Sequence, residues 1–309
     1  MTAATIPFAL NPIQWRATDD GWLDFERELD PRELLLQIKA AGFDGVFAEV
    51  PAGWTIESYR DVLEEVGLRP APGYLVVGSG DGVGEAEILE RAAAAARVHA
   101  ELGLDDILVG AGMSKDATRV QHPARGYAAD PARLDRMIDL LGRVGEVTRA
   151  EGVRAAVHPH VGTVVETDAE ARAVLDAVDA ATLGFGPDTG HLAWAGADVA
   201  QLIRDYGSRV TGMHVKDCRL SVARRARELD LTYQQTVMEG LWAEPGRGEL
   251  ELEGIIASLP DEFAGWLIVE VDRPDIPDPF ESARASASWM RGRNGSSRER
   301  PTDPAGAHA

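Results

Sequence analysis

The sequence predicts a single-domain α/β protein with the architecture of a (β/α)8 TIM barrel. Three observations support this: short apolar segments alternate with longer helical patterns, eight such units occur, and they fill most of a 309-residue chain. Alternating strands and helices imply a parallel sheet, and eight units over roughly 250–300 residues are typical of a closed barrel. An open doubly wound sheet would need a phosphate-binding glycine turn after an early strand. The glycine-rich segment 78–84 instead contains Asp81 and leads into Glu85, which predicts a mobile loop.

The predicted strands are short apolar runs bounded by turn residues or helix caps. In chain order they span residues 6–10, 43–50, 69–77, 105–110, 153–158, 182–188, 210–217 and 265–271. Five further segments predict packing helices from their caps or composition. Two of them start with Asp-Pro and stop at glycine, one is rich in alanine and glutamate, one opens with a threonine capping box, and one closes the series. They are residues 30–42, 130–152, 85–103, 167–178 and 278–290, respectively.

The predicted barrel spans residues 1–290 and contains no domain linker. Its longest departure from the pattern is an insertion at about 218–250, between strand seven and the helix that packs on it. This insertion has a predicted helix of its own at residues 222–241. Residues 291–309 are polar and arginine-rich and include no large apolar side chain, so we expect a disordered tail.

The composition restricts the classes of partner. There are 51 acidic and 31 basic residues, giving a formal net charge of −20, and such a surface repels nucleic acid and anionic membranes. The N-terminus has no basic region, and no apolar run predicts a signal peptide or a membrane span. The single cysteine, Cys218, excludes an intrachain disulfide and fits a reducing compartment. We therefore expect a cytoplasmic protein.

Polar side chains occur at the ends of four neighbouring predicted strands. In a (β/α)8 barrel the active site lies at the carboxyl ends of the strands, where strands five to eight converge. These ends contain His158, His160, Asp188, His191, His214, Lys216 and Glu270. Imidazole and carboxylate ligands suit Mn²⁺, Co²⁺, Mg²⁺ or Zn²⁺, and the lack of thiolates argues against a closed structural zinc site.

Each of these residues also has a simpler explanation. A single strand-end histidine is usually a hydrogen-bonded structural residue, and Asp188 could do no more than cap the next helix. Glu270 is harder to explain in this way, because it follows four apolar residues and an unpaired buried carboxylate is costly. The joint placement favours a metal and acid–base site. Gly184 and Gly186 share a strand face with Asp188, which predicts open space beneath its carboxylate.

Six motifs spread from strand one to strand eight give the chain a family resemblance. They are NPIQW (11–15), HPHVGT (158–163), DTGHLAWAG (188–196), HVKD (214–217), EPGRGELEL (244–252) and LIVEVD (267–272). With these motifs the chain resembles the xylose-isomerase-like barrel superfamily, which includes sugar-phosphate isomerases, ketose epimerases and AP endonucleases. Within it, the similarity is greatest to inosose dehydratases. The AP-endonuclease activity is excluded here because the acidic chain has no basic stripe for DNA.

The resemblance implies a set of metal ligands. The ion would be held by His158, Asp188, His214 and Glu270, where many relatives have glutamate at the first position. Mn²⁺ or Co²⁺ is the expected ion, with Mg²⁺ or Zn²⁺ as alternatives. Whether Glu166 reaches the metal instead stays open. So does the role of Glu49, because Phe47 stands where relatives have a strand-two glutamate.

The resemblance also implies a reaction, the dehydration of an inosose-like cyclic polyhydroxy ketone (2-keto-myo-inositol type) via an enediolate. His160 would be the general base and His191 the acid for the departing hydroxyl, since imidazole titrates near neutral pH. Lys216 would stabilise the enolate oxygen, and Glu270 would add a carboxylate for acid–base work. A wall against the apolar face of the ring is expected from Trp15, Trp54 and Trp194.

Two other reactions use the same metal and base. Reprotonation of the enediolate would make the enzyme a ketose isomerase or epimerase, which needs acid–base groups on both faces of the intermediate. β-Elimination from a 3-keto-glycoside differs only in its leaving group. In every case the partner is a small keto-sugar or cyclitol, and relatives of this kind often form homo-oligomers. A barrel that had lost its chemistry and served as a scaffold would bind no divalent ion.

Overall fold

A computed structural model describes residues 6–78 and 83–295. The strands within these residues are β1 Phe8–Asn11, β2 Gly45–Phe47, β3 Arg69–Ala71, β4 Tyr74–Val77, β5 Asp106–Ala111, β6 Arg154–Val157, β7 Leu183–Phe185, β8 Gly212–Val215, β9 Asp217–Cys218, β10 Trp242–Ala243 and β11 Trp266–Glu270. The helices are α1 Pro31–Ala41, α2 Ile56–Val66, α3 Glu85–Glu101, α4 Thr118–Gln121, α5 Pro131–Ala150, α6 Asp168–Ala177, α7 Thr189–Trp194, α8 Val199–Tyr206, α9 Leu220–Glu228, α10 Tyr233–Met238, α11 Leu252–Ala257 and α12 Pro279–Gly295. Short 3₁₀ turns cover Ile13–Arg16 and Gly207–Arg209.

The large strands form a ring of parallel neighbours. One half has the order β3-β2-β1-β11-β8 and the other β4-β5-β6-β7. The halves meet on one side through the backbone bridges Phe185–Val210 and Asp188–His214, and on the other side through the continuous chain between β3 and β4. The predicted (β/α)8 barrel is confirmed, and it brings the carboxyl ends of β6, β7, β8 and β11 to one mouth.

The third predicted strand, residues 69–77, is divided into β3 and β4. Between them Pro72 offers no N–H to a neighbouring strand. The N–H of Gly73 instead donates to Nε2 of His99 on α3 (2.9 Å), and its carbonyl accepts from Leu108 on β5 (2.9 Å). The strand therefore changes partner here, from β2 to β5, without leaving the ring.

The helix caps lie where the sequence predicts them. Asp30 and Asp130 accept backbone N–H groups at the starts of α1 and α5, and Thr167 forms a capping box with Glu170 on α6. Helix α2 is not predicted from the sequence, although Thr55 and Ser58 form a capping box at its start. A capping box usually has glutamate or glutamine at the third helical position, and here that position is occupied by Ser58, so the motif is less easily recognised in the sequence.

Glycines inside the barrel are matched to large side chains that come from other strands. A Cβ on Gly110 would lie 1.7 Å from the hydroxyl oxygen of Tyr74, and a Cβ on Gly186 would lie 2.4 Å from Cδ2 of Leu108. The prediction of open space beneath Asp188 is therefore wrong. Leu108 on β5 reaches the space beside Gly186, and Thr211 fills the space beside Gly184, where an added Cβ would lie 2.8 Å from its Cγ2.

The insertion has more structure than the single helix predicted at residues 222–241. It contains α9 and α10, separated where Asp230 adopts a left-handed backbone (φ 53°) and Thr232 opens a new capping box. The antiparallel pair β9–β10 ties its two ends together. The buried carboxylate of Asp217 accepts N–H groups from the loop that follows β10, including those of Gly246 and Gly248.

At the C-terminus, α12 continues to Gly295, past the predicted barrel boundary at residue 290. The rest of the predicted tail, residues 296–309, lies outside the described residues, as do residues 79–82 of the predicted glycine-rich loop. In the ranges that are described, no helix is both long enough and apolar enough to cross a membrane.

The match between Gly110 and Tyr74 leads to a stability prediction. Gly110→Ala should lower the free energy of unfolding by about 1–3 kcal/mol, because the added methyl overlaps the Tyr74 ring inside a packed barrel. Gly142→Ala on α5 is the matched control, since a Cβ at this glycine would meet no neighbouring atom within 4 Å. It should raise the free energy of unfolding by about 0.5–1 kcal/mol. Equal urea midpoints for the two variants would contradict this packing.

A second prediction concerns Asp106, which opens β5 beside Arg154 on β6. Burial raises the pKa of Asp106 from 3.8 to about 6, with Arg154 opposing the shift. The folded state therefore favours the protonated acid. The resulting loss of stability is absent below about pH 4, grows between pH 4 and 6, and is complete above pH 6. Asp106→Asn should stabilise the protein by about 1–2 kcal/mol at pH 8 and by nothing near pH 4. Thermal unfolding at both pH values tests this, and a stabilisation independent of pH would refute it.

Candidate active site at the carboxyl end of the barrel

Four side chains converge at the mouth of the barrel from four neighbouring strands. His158 follows β6, Asp188 caps the start of α7, His214 lies in β8 and Glu270 ends β11. All four are buried. These are the residues that the family resemblance implies as metal ligands, and the structure brings them together; their role as ligands stays a prediction.

Three of them form what we call the first donor set: His158, Asp188 and His214. One ligand atom from each lies within 4.8 Å of the others. Oδ2 of Asp188 is 3.8 Å from Nε2 of His158 and 3.7 Å from Nδ1 of His214. Donor atoms that share one ion at about 2.1 Å stand roughly 3–4 Å apart, so these separations suit a single divalent ion.

The hydrogen bonds around the first donor set leave its lone pairs free. Nδ1 of His158 donates to the carbonyl of Gly186 (2.8 Å), which places the lone pair on Nε2. Oδ1 of Asp188 accepts the backbone N–H of His191 (2.8 Å). Oδ2 of Asp188 and Nε2 of His214 are buried without a hydrogen-bond partner among the described residues, and Nδ1 of His214 lies 3.2 Å from Oε2 of Glu270. Buried polar atoms are rarely left unpaired, so these atoms fit a bound cation.

A second donor set consists of Asp188, His191 and Glu270, which also offer ligand atoms within 4.8 Å of one another. This set surrounds the ammonium group of Lys216. Nζ lies 2.5 Å from Oε1 of Glu270, 3.5 Å from Oδ2 of Asp188 and 3.0 Å from Nε2 of His191. A further carboxylate, that of Asp272, contacts Nζ at 2.8 Å. Lys216 is fully buried, so it is not a solvated strand-end lysine.

The charges of this cluster do not balance on their own. Asp188, Glu270 and Asp272 supply three carboxylates against the one ammonium of Lys216. Their ionised forms leave two negative charges in the buried mouth of the barrel, where uncompensated charge is expensive. One divalent cation would neutralise the cluster, which is a second reason that these residues fit a metal ion.

The pKa shifts have the same origin. Burial alone would lower the pKa of Lys216, but Asp188, Asp272 and Glu270 raise it well above its ordinary value. Burial alone would raise the pKa of Glu270, but Lys216 and His214 hold it well below its ordinary value. Burial raises the pKa of Asp188, and it raises that of Asp272 to about 6, with Lys216 opposing both shifts. Lys216 is therefore a permanent cation at neutral pH.

The two histidines predicted for acid–base work, His160 and His191, lie side by side with ring centroids 3.6 Å apart. Burial and the neighbouring Lys216 lower the pKa of His160 to about 4, and burial with His160 and Lys216 lowers the pKa of His191 well below its ordinary value. Both imidazoles are neutral at pH 7. Because Nε2 of His191 faces the Lys216 ammonium, it accepts a hydrogen there, and the prediction of His191 as an imidazolium acid disagrees with this geometry.

An aromatic wall stands beside these imidazoles, but only one of the three predicted tryptophans belongs to it. Trp194 lies 6.4 Å from the His191 ring and 4.9 Å from that of Tyr233. Trp242 lies 5.0 Å from the His191 ring and 4.9 Å from Nζ of Lys216. Tyr233 and Trp242 both come from the insertion. Neither follows a predicted barrel strand, so the sequence did not indicate that they belong to the site.

Trp15 and Trp54 do not belong to the aromatic wall, contrary to the prediction from sequence. Nε1 of Trp15 donates to Gln37 on α1 (3.0 Å), and Trp54 packs at the edge of the hydrophobic core. Among the described residues, neither side chain forms a hydrogen bond or a ring contact with the cluster at the mouth. Each of these tryptophans follows a strand end by several residues, so the period-two pattern of the strand could not predict where its side chain points.

The two glutamates whose roles stayed open lie elsewhere. Glu49 is exposed two residues beyond β2. Glu166 is buried, but its carboxylate accepts the N–H groups of Ala124, Gly126 and Gly162. It therefore stabilises the loops at the mouth rather than joining the first donor set.

Comparison with known sequences gives related enzymes. An inosose dehydratase from Bacillus thuringiensis (strain Al Hakam) is 30% identical over 163 residues, which are 52% of this chain and 55% of the relative. A second one, from Geobacillus thermodenitrificans (strain NG80-2), is 30% identical over 159 residues, 51% of this chain and 53% of the relative. The matched region thus spans about half the length of these curated relatives. The relatives are dehydratases, which supports an enzyme.

Solved structures share the fold at lower identity. A probable 3-DHS dehydratase from Bacillus anthracis has a TM-score of 0.68 at 13% identity, covering 93% of this chain and 99% of its own. A xylose isomerase-like TIM barrel protein from Mycobacterium smegmatis in complex with magnesium has a TM-score of 0.68 at 18% identity, covering 95% and 98%. L-Ribulose 3-epimerase has a TM-score of 0.67 at 17% identity, covering 96% and 100%.

A family model decides the wider assignment. The model for the xylose isomerase-like TIM barrel matches residues 35–293, which include every strand of the barrel except β1 and all the residues of both donor sets. The chain belongs to the xylose isomerase-like TIM barrel family.

Proposed function

We propose that the protein is a metal-dependent carbon–oxygen lyase that removes water from a cyclic polyhydroxy ketone of the inosose type. The observation that most supports this is the neutral His160–His191 pair, which lies directly beside Lys216 and the donor sets. A dehydratase needs a neutral base next to a centre that acidifies a C–H bond, and this arrangement supplies both. The dehydratases among the sequence relatives support the same reaction.

The ion would be held by His158, Asp188 and His214, with Oε2 of Glu270 at the edge of the set, 3.2 Å from His214. When bound, a divalent ion polarises a ketone carbonyl and makes the neighbouring C–H more acidic. Two imidazoles with carboxylates suit Mn²⁺ or Co²⁺, which we propose as the preferred ions. Among the relatives in fold, one structure holds magnesium.

His160 is proposed as the base. Its Nδ1 donates to the carbonyl of Val161 (2.8 Å), so Nε2 holds the lone pair that accepts the α-proton. The departing hydroxide needs one proton to leave as water. Since burial, with His160 and Lys216 nearby, lowers the pKa of His191 and keeps it neutral, His160 returns the proton that it has taken, and the net loss is one water molecule. The three N–H groups of Lys216 already contact Glu270, Asp272 and His191. The ammonium therefore stabilises developing negative charge electrostatically, while the Nδ1–H of His191, unpartnered among the described residues, orients a substrate oxygen.

An epimerase would also use this base, and one relative in fold has that activity. Epimerisation needs a second acid–base group on the opposite face of the substrate. Glu270 was the sequence-based candidate, but both its oxygens are engaged: Asn11 donates to Oε2 (2.5 Å) and Lys216 contacts Oε1. This engagement favours elimination over epimerisation.

The base assignment leads to a kinetic prediction. Supplied with Mn²⁺ or Co²⁺ and scyllo-inosose, the wild-type protein should form a dione with rising ultraviolet absorbance. His160→Ala should lower kcat by about 10²–10⁴-fold while leaving metal affinity unchanged. His122→Ala is the control, because this imidazole pairs with Asp230 outside the cluster, and it should retain full activity.

The same assay separates the reactions. Dione formation that His160→Ala does not change would remove His160 as the base. Ketose interconversion without water loss, with deuterium entering the product in D₂O, would show an isomerase or epimerase instead. Loss of a sugar or carbon leaving group from a 3-keto-glycoside would show a β-eliminase.

The unbalanced charge of the cluster predicts that a divalent ion stabilises the fold. Adding Mn²⁺ to chelator-treated protein at about 100 times Kd should raise the free energy of unfolding by about 2.7 kcal/mol and so raise Tm. Asp188→Asn should abolish this rise, because Asp188 belongs to both donor sets. Glu166→Gln should keep it, since Glu166 is a buried carboxylate outside them. A Tm that Mn²⁺ leaves unchanged in wild type would contradict the proposed metal centre.

A further inference from the structure

The two donor sets overlap at Asp188, yet their surroundings differ. In the first set, Oδ2 of Asp188 and Nε2 of His214 have no hydrogen-bond partner among the described residues. In the second set, Nε2 of His191 and Oε1 of Glu270 both contact Nζ of Lys216, at 3.0 and 2.5 Å. The ammonium group thus lies where a cation shared by the second set would lie.

The stem of Lys216 is held in this position by packing. A Cβ on Gly190 would lie 2.7 Å from Cγ of Lys216, so only glycine at 190 lets the lysine chain pass. On the other side Nζ lies over the ring of Trp242, 4.9 Å from its centroid. The backbone of Lys216 is tied to Thr189, whose hydroxyl exchanges two hydrogen bonds with it (2.7 and 2.9 Å). The ammonium cannot withdraw to solvent without moving α7 or β10.

Charge gives an independent reason. Three carboxylates and the ammonium leave two negative charges, which one divalent ion neutralises. A second divalent ion beside Lys216 would leave two uncompensated positive charges among neutral imidazoles, at a high cost in a buried site. Nζ of Lys216 already lies 3.5 Å from Oδ2 of Asp188, the residue that the two sets share.

We propose that Lys216 acts as a built-in cation in the second donor set and thereby limits the centre to one divalent ion. This inference rests on the proposed metal centre, and it assigns to Lys216 a role beyond stabilising charge on the substrate. Without the lysine, Asp188, His191 and Glu270 would form a second site of the same ligand chemistry, with Asp272 as an additional carboxylate.

The test measures bound Co²⁺ per chain after chelator treatment and dialysis, by elemental analysis and by calorimetric titration. Wild type should bind one ion. Lys216→Ala, which removes the charge and vacates the volume, should bind two. Lys216→Arg is the matched control, because it keeps a positive charge at this position, and it should bind one. The double variant Lys216→Ala/His191→Ala should return to one ion.

The outcomes separate the two proposals. A wild-type chain that binds no Co²⁺ overturns the metal centre and this inference with it. Wild type with two ions, or folded Lys216→Ala with one, overturns the inference alone. If Lys216→Ala does not fold, His191→Ala in the wild-type background decides: Co²⁺ affinity reduced less than tenfold supports the inference, and a larger loss overturns it by showing that His191 holds the wild-type ion.

Discussion

The mouth of this barrel is organised around one electrostatic constraint, the burial of three carboxylates with a single ammonium. Asp188, Glu270 and Asp272 all contact Lys216, and His158, His160 and His191 are neutral because burial disfavours their charged forms. Buried charge of one sign is stable only when a counter-charge is present. The same constraint explains the neutral base, the unpaired donor atoms and the affinity for a divalent cation that we propose.

The insertion is what makes this site buried. Its β9–β10 pair places Trp242 over Lys216, and α10 places Tyr233 beside Trp194. Asp217 holds the loop after β10 in place, because its carboxylate accepts hydrogen bonds from backbone N–H groups of that loop. By excluding water, these side chains strengthen every charge interaction at the mouth. The insertion departs from the barrel pattern in the sequence, and in the structure it lowers the local dielectric constant at the site.

The strand ends could be predicted from sequence because their physics is local. An apolar strand with period two fixes which face each residue takes, so His158, Asp188, His214 and Glu270 could be placed at one mouth before any coordinates. The side chains that sequence misplaced, Trp15 and Trp54, follow strand ends by several residues of loop. Trp242 and the depth of Lys216 depend on how the insertion packs across α7, and that is a tertiary contact with no sequence period.

His158 acquires a further meaning from the charge of the cluster. The family resemblance implies glutamate at this position in many relatives, and a fourth carboxylate here would leave a negative charge even with one divalent ion bound. With an imidazole, the centre is neutral when it holds that ion together with Lys216. Proton abstraction beside a ketone creates one negative charge on the carbonyl oxygen, and a neutral centre stabilises that charge better than a negative one. His158 and Lys216 thus act on the same charge balance. His158 replaces a carboxylate with a neutral imidazole, and Lys216 adds one positive charge.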